Sequence, residues 1–195
     1  MTLRLFQNGL VWCMSLCLLS APAEALEWDF LADQSELSFH GTMLGVPVIG
    51  VFERVQADIR FDPENLADSR IVIRIDMASI NTRHDERDTA LRRPEWFDAG
   101  AFLQARFVAE DLRQIDESNY EARGELTVKG ISHAVTLPFH LVISGEFATA
   151  TGFIDLSRLE FAIGTGEWAD EKRVAFAVRI EVRITAKVIH QKPDD

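Results

Sequence analysis

Apolar and polar residues alternate along much of this chain, and no other feature restricts its fold as strongly. Val174, Phe176, Val178, Ile180, Val182, Ile184, Ala186 and Val188 recur at every second position, with Arg179, Glu181, Arg183, Thr185 and Lys187 among the residues between. A helix cannot gather such a series on one face. A strand does so directly, because successive side chains point to opposite sides. The pattern predicts a long strand with one apolar and one wet face. Ile71, Ile73, Ile75 and Met77 repeat it, as do Val135, Leu137, Phe139, Leu141 and Ile143, and Leu126 and Val128 close a strand that begins near Tyr120.

Turn chemistry separates these runs. Asp62-Pro63-Glu64-Asn65 follows a strand ending at Phe61, and Asp116-Glu117-Ser118-Asn119 follows another. Lys129-Gly130 and Ser144-Gly145-Glu146 are short enough for hairpins. Short connections favour antiparallel pairing of neighbours. About eight strands at this spacing predict an all-β sandwich or barrel. One segment departs from alternation. Residues 84–93 are rich in charge and precede Pro94, which predicts about two helical turns ending there. Trp96, Phe97 and Phe102 follow closely. Such a helix could plug a barrel mouth or simply cover a core edge, and the pattern fits both.

The N-terminal segment reads as a secretory signal. Arg4 gives the positive charge, residues 10–19 form an uncharged apolar run, and Ala23-Glu24-Ala25 supplies a small-x-small cleavage signature. The run is short of the roughly 20 apolar residues of a membrane-spanning helix. Cleavage is expected after Ala25, leaving one domain over 26–190 and a frayed tail over 191–195. Both cysteines, Cys13 and Cys17, fall within the signal. They follow Trp12 and Leu16 rather than the small residues of a lipidation site, so neither reads as an anchor. The mature chain then has no disulfide and depends on its own core.

The net charge of -11, with no basic tract, argues against nucleic acid, whose phosphates need clustered Lys and Arg. No G-x-S-x-G, C-x-x-C or H-E-x-x-H is present. His40, His84, His133, His140 and His190 share no metal-ligand spacing on a strand face, although His40 and His140 could meet in space. Gly164-x-Gly166 leads toward a strand near Arg173 rather than a helix, which removes the phosphate-loop reading. Asp155, Glu160 and Glu167 are the carboxylates that could form an acid/base pair, with His140 a further suspect for chemistry on a lipid or sugar; solvated loop acids are the simpler reading. No catalytic residue, metal or cofactor is assigned. What remains is apolar volume, with thirteen Phe and four Trp. An eight-stranded barrel can fill its interior with such side chains or hold one small ligand, and both have the same sequence pattern.

Several pieces in order carry a family resemblance. They are Trp28-Asp29, Ser38-Phe39, Ile59-x-Phe61-Asp62-Pro63, Ser79-Ile80-Asn81-Thr82, Glu86-Arg87-Asp88-x-x-Leu91 and Trp96-Phe97-Asp98. Then come Ala105-x-Phe107, Gly124-x-Leu126-Thr127-Val128-Lys129-Gly130 and Phe161-x-Ile163-Gly164-Thr165-Gly166-x-Trp168-x-Asp170. From Trp28 to about Val188 the chain resembles the YceI-like family of periplasmic polyisoprenoid-binding proteins. The resemblance implies an extended, antiparallel, eight-stranded lipocalin-like barrel with the short helical segment near one mouth. It implies an isoprenoid lipid or quinone in an apolar tunnel, handled without chemistry in the periplasm, with room for transient membrane contact. The candidate lining is Phe39, Ile73, Ile75, Trp96, Phe97, Phe102, Phe107, Phe139, Phe161, Trp168 and Phe176. Trp96, Phe97, Phe102 and Trp168 are candidate gates, with ordinary core packing the alternative. Arg87-Asp88 is expected to be a structural ion pair or cap. The chain departs from the family in Gly41-Thr42-Met43-Leu44-Gly45-Val46-Pro47 and over residues 100–104, at what should be the cavity mouth. Monomer and homodimer are both compatible with such a barrel, and so is a stress-related barrel with a filled core.

Overall fold

The computed structural model describes residues 25–189. The proposed signal up to Glu24, both cysteines, His190 and the tail lie outside the described residues. The chain forms β1 (Glu27–Phe30), β2 (Glu36–Met43), β3 (Val46–Phe52), β4 (Val55–Arg60), β5 (Arg70–Asp76), β6 (Ile80–Asn81), the helix α1 (Asp85–Leu91), β7 (Gln104–Gln114), β8 (Asn119–Val128), β9 (Ile131–Ser144), β10 (Phe147–Ser157) and β11 (Ala177–Val188).

These segments make eight staves, three of them interrupted. A 3-10 turn at Ala32–Gln34 separates β1 from β2, Glu53 and Arg54 bend β3 into β4, and a 3-10 turn at Met77–Ser79 separates β5 from β6. The first two staves pair antiparallel at both ends, Trp28 with Ile59 and Ser38 with Val51. The second pairs with the third through Val55–Ile75 and Val51–Asn81. From β5 the sheet continues through β7, β8, β9, β10 and β11. Then β11 returns to the first stave, pairing with β1 at Trp28–Val188 and with β2 at Phe39–Ile180. The result is a closed eight-stranded up-and-down barrel, in which no stave is left with an open edge.

Closure requires sharp coiling, and glycine permits it where strands cross closely. A Cβ on Gly124 would lie 2.0 Å from the Val108 carbonyl oxygen, beside the register shift between Ala109 and Asp111.

The inward side chains form two clusters, one at each end. At the end from which both termini leave, Phe61, Tyr120 and Phe139 pack together, with Tyr120 stacked on Phe139 at a centroid distance of 5.5 Å. Trp28 joins them and its indole Nε1 donates to the Phe61 carbonyl at 2.8 Å. This end is nearly solid, with a void of about 80 Å³ within it. The other cluster holds Leu37, Phe39, Phe52, Met77, Ile80, Leu91 and Phe161. It surrounds open space, and α1 and the loop after β10 roof that end.

Helix α1 begins at His84, whose ring Nδ1 accepts from the Arg87 amide at 3.4 Å, and Leu91 turns into the core from its last turn. The expected Arg87–Asp88 pair is indirect. Both side chains converge on Thr82: its hydroxyl donates to Asp88 Oδ1 at 2.5 Å and accepts from Arg87 Nε at 2.8 Å. Asp88 also accepts from the Thr82 amide at 2.8 Å, and Arg87 Nη2 donates to the Thr82 carbonyl at 2.9 Å. The motif therefore fixes the chain entering the helix rather than forming a direct ion pair.

Candidate functional site: an apolar cavity under a tied lid

The upper half of the barrel encloses a cavity of about 470 Å³. That lies within the roughly 300–1,000 Å³ of small-molecule sites. Alternation builds its walls. Ile75 on β5, Ala105 on β7, Leu126 and Val128 on β8, Leu156 on β10, and Val178 and Ile180 on β11 occupy inward positions of their strands. Its upper end is lined by His84, Glu86, Arg87 and Ala90 from α1 and its cap, by Gly41, Thr42, Met43 and Val48 from the β2–β3 hairpin, and by Trp168 and Val174.

Of the expected lining residues, Phe39, Ile75, Trp96, Phe97, Phe161 and Trp168 border this cavity. Ile73, Phe107 and Phe139 border the small void below it. Phe102 and Phe176 border neither. Phe102 instead lies beside the tight turn at Gly130. Phe176 ends just before β11 and sets its ring 5.5 Å from the Arg158 guanidinium, so the strand that alternation extends back to Val174 begins only at Ala177. Several liners escaped a reading centred on aromatics, among them Met77, Leu156, Val178 and Ile180.

The lid is tied together by Arg158, which sequence reading passed over. Its side chain is 3% exposed and bonds only to main-chain oxygens. Nε donates to Ala175 at 3.0 Å, Nη1 to Ile163 and Gly164 at 2.7 and 2.9 Å, and Nη2 to Trp168 and Val174 at 2.6 and 2.8 Å. All five donors of the guanidinium are thus used. Burial pulls its pKa down from the usual value, but guanidinium remains charged at any ordinary pH. A Cβ on Gly164, whose φ is +72°, would sit 2.3 Å from Nη1, so this turn admits glycine alone. Lys129 Nζ adds a second tie, donating to the Pro94 and Ala162 carbonyls at 2.6 and 3.0 Å. Glu95 adds a third, its carbonyl accepting from the amides of Gly164 and Thr165. Trp96 and Trp168 close the assembly with ring centroids 5.6 Å apart.

The suspected catalytic groups do not converge. Asp155 lies on the outer wall in a two-bond pair with Arg179 at 2.8 and 2.9 Å, which holds its carboxyl below the usual range. Glu167 pairs with Arg173 at 2.8 Å, and Glu160 is exposed. His40 faces Glu181 at 3.4 Å, whereas His140 contacts Asn119 at 3.3 Å. Among the described residues no three His, Cys, Asp or Glu side chains are grouped to hold a metal ion.

Trp168 is half-buried, its ring tilted against that of Trp96. Trp168→Ala is therefore expected to cost roughly 1–2 kcal/mol, below the about 3–5 of a fully enclosed Trp, while bound ligand escapes several-fold faster. Urea melts and ligand-release rates on one sample check both halves; a loss of the full core magnitude would make Trp168 a core residue and not a gate.

A closed meander of eight staves, hollow at one end beneath a helix and a tied loop, defines a lipocalin-like ligand-binding barrel. The chain belongs to the YceI-like family, whose domain model matches residues 28–186. It is 30% identical over 166 residues to a UPF0312 protein of Vibrio parahaemolyticus, covering 81% of this chain and 85% of that one. Among solved structures it is similar to BcnA of Burkholderia cenocepacia, with a TM-score of 0.79 and 31% identity over 82% of this chain and all of that one. A polyisoprenoid-binding domain from Saccharophagus degradans shares the fold at a TM-score of 0.66 and 14% identity, over 86% of this chain and the whole of that domain.

Proposed function

We propose that this protein binds and carries an isoprenoid lipid, a polyprenyl lipid or prenyl quinone, in the periplasm and performs no chemistry on it. The preformed apolar cavity of about 470 Å³ is the observation that supports this most directly. Burying roughly 400 Å² of isoprenoid surface yields about 10 kcal/mol at about 25 cal/mol per Å². Ordering the chain and losing its free motion cancel a good part of that. A cavity already open in the free protein avoids the further cost of making one. The binding described for the Saccharophagus degradans domain agrees with this reading, and so does the dispersal of Asp155, Glu160 and His140.

Native mass spectrometry of the protein taken from its own cell envelope tests the proposal. The expected result is a chain starting at Leu26 that carries an adduct releasing a prenyl lipid into organic solvent. Discrimination between chain lengths should be weak, since one methylene changes binding by only about 1–3 kcal/mol. Protein that is empty and also takes up no added isoprenoid would overturn the proposal.

A further inference from the structure

The β2–β3 hairpin combines an uncharged stretch with exposed apolar side chains and lies against the cavity. In a chain where 26% of residues are charged, residues 41–52 carry no charge. At the tip Leu44 is 69% exposed and Val46 62%, and Ile49, further along β3, is 56%. Exposed rings on the outer wall lie under cations, Phe153 at 4.1 Å from the Arg179 guanidinium and Phe147 at 5.8 Å from Lys187 Nζ. The hairpin has no charged residue of its own to shield its tip.

The tip is also held in place. Leu44 and Gly45 have φ of 51° and 78°, a two-residue turn in left-handed conformation, where Asn or Gly is favoured and Leu pays a conformational cost. The Leu44 amide donates to Arg173 at 2.8 Å, and the Ala175 amide donates to Thr42 at 2.9 Å. Met43 bridges to Val174 as an isolated strand pair. Gly41, Thr42, Met43 and Val48 of the same hairpin line the upper end of the cavity. A single uncharged hairpin, bonded to residues 173–175, thus presents apolar groups to the cavity on one side and to the surroundings at its tip.

We infer that this hairpin tip is a membrane-docking element, which inserts Leu44 and Val46 into a lipid bilayer and sets the upper end of the cavity against the lipid surface. The inference rests on the carrier reading for its purpose, because an insoluble chain needs a water-free path between bilayer and cavity. The segment beside the tip carries no net positive charge: Arg173 is paired with Glu167, and the neighbouring exposed Lys172 stands next to Asp170 and Glu171. Insertion is therefore driven by apolar contact and is insensitive to salt.

Flotation with neutral phosphatidylcholine vesicles tests this, using the whole mature protein and the variant L44N/V46T. Asn suits the left-handed position and Thr suits the strand, so the melting temperature should hold. The variant is expected to bind vesicles roughly tenfold more weakly or worse at both low and high salt. It should extract a prenyl quinone from those vesicles correspondingly more slowly, yet take up the same quinone from detergent at the wild-type rate. Equal flotation of the two proteins, or flotation of neither, overturns the inference. So does a wild-type dimer that the variant dissolves while vesicles stay unbound, which assigns the tip to a second copy. If neither protein takes up quinone from any source while flotation still depends on the tip, docking stands and the carrier reading fails.

Discussion

Replacing Ile180 with Trp should empty the cavity while leaving the barrel folded. Ile180 lies midway along the hollow half, opposite Ile154 on β10 and Phe39 on β2, and faces inward. An indole there occupies space that the ligand's chain would otherwise fill. Losing roughly 100 Å² of buried ligand surface forfeits about 2.5 kcal/mol, a fifty- to hundredfold loss of affinity. Overfilling a packed core costs about 1–3 kcal/mol; here the new ring enters a void, so the cost should fall at the low end. Prenyl-quinone titration and urea melts of I180W read the two effects. Val142→Trp adds a similar ring on the outer wall, where Val142 is 52% exposed, and should change neither. Undiminished binding by a folded I180W would mean that the ligand lies elsewhere.

Loss of Arg158 should be as damaging to stability as loss of a large core side chain. Arg158→Met keeps most of the side chain's bulk but leaves five carbonyl oxygens without their donor. Each acceptor left buried and unpaired costs about 1–3 kcal/mol. Some will be reached by water as the loop loosens, and removing a buried cation recovers part of its desolvation cost. The expected net loss is about 3–5 kcal/mol, or roughly 10 °C in melting temperature for a domain of this size. Arg158→Lys should recover only part, since an ammonium has three donors. Both variants should also release ligand faster, because the same bonds hold the loop carrying Trp168. A loss under about 1 kcal/mol for R158M would show that the five bonds add little.

The barrel was legible because the same physical contrast, apolar inside and wet outside, recurs along each stave. Hairpins at Lys129-Gly130 and around Gly145, and the helix before Pro94, were legible from turn and breaker chemistry. The interruptions in the first three staves were not, because a stave can bend without disturbing its alternation. Phe176 misled for a related reason: a ring at the apolar phase stacks on a guanidinium instead of entering the cavity. Arg158 was the opposite case. Ile154 and Leu156 set the inward phase of β10, and Arg158 stands at the next inward position. That placement was the available signal, but a lone Arg reads as solvated until the folded loop supplies its five oxygens. The expected Arg87–Asp88 contact likewise needed Thr82 between the partners, which spacing along the chain does not reveal.

The division of the interior into a solid lower cluster and a hollow upper one has a consequence for how such proteins diversify. Trp28, Phe61, Tyr120 and Phe139 hold one end of the barrel shut, away from the cavity wall. Changes to Val128, Leu156, Val178 or Ile180 alter the shape of the space without touching those four. A lineage could therefore drift from one cargo to another, or lengthen the cavity downward past Ile73 and Phe107, while its folding remains anchored at the opposite pole.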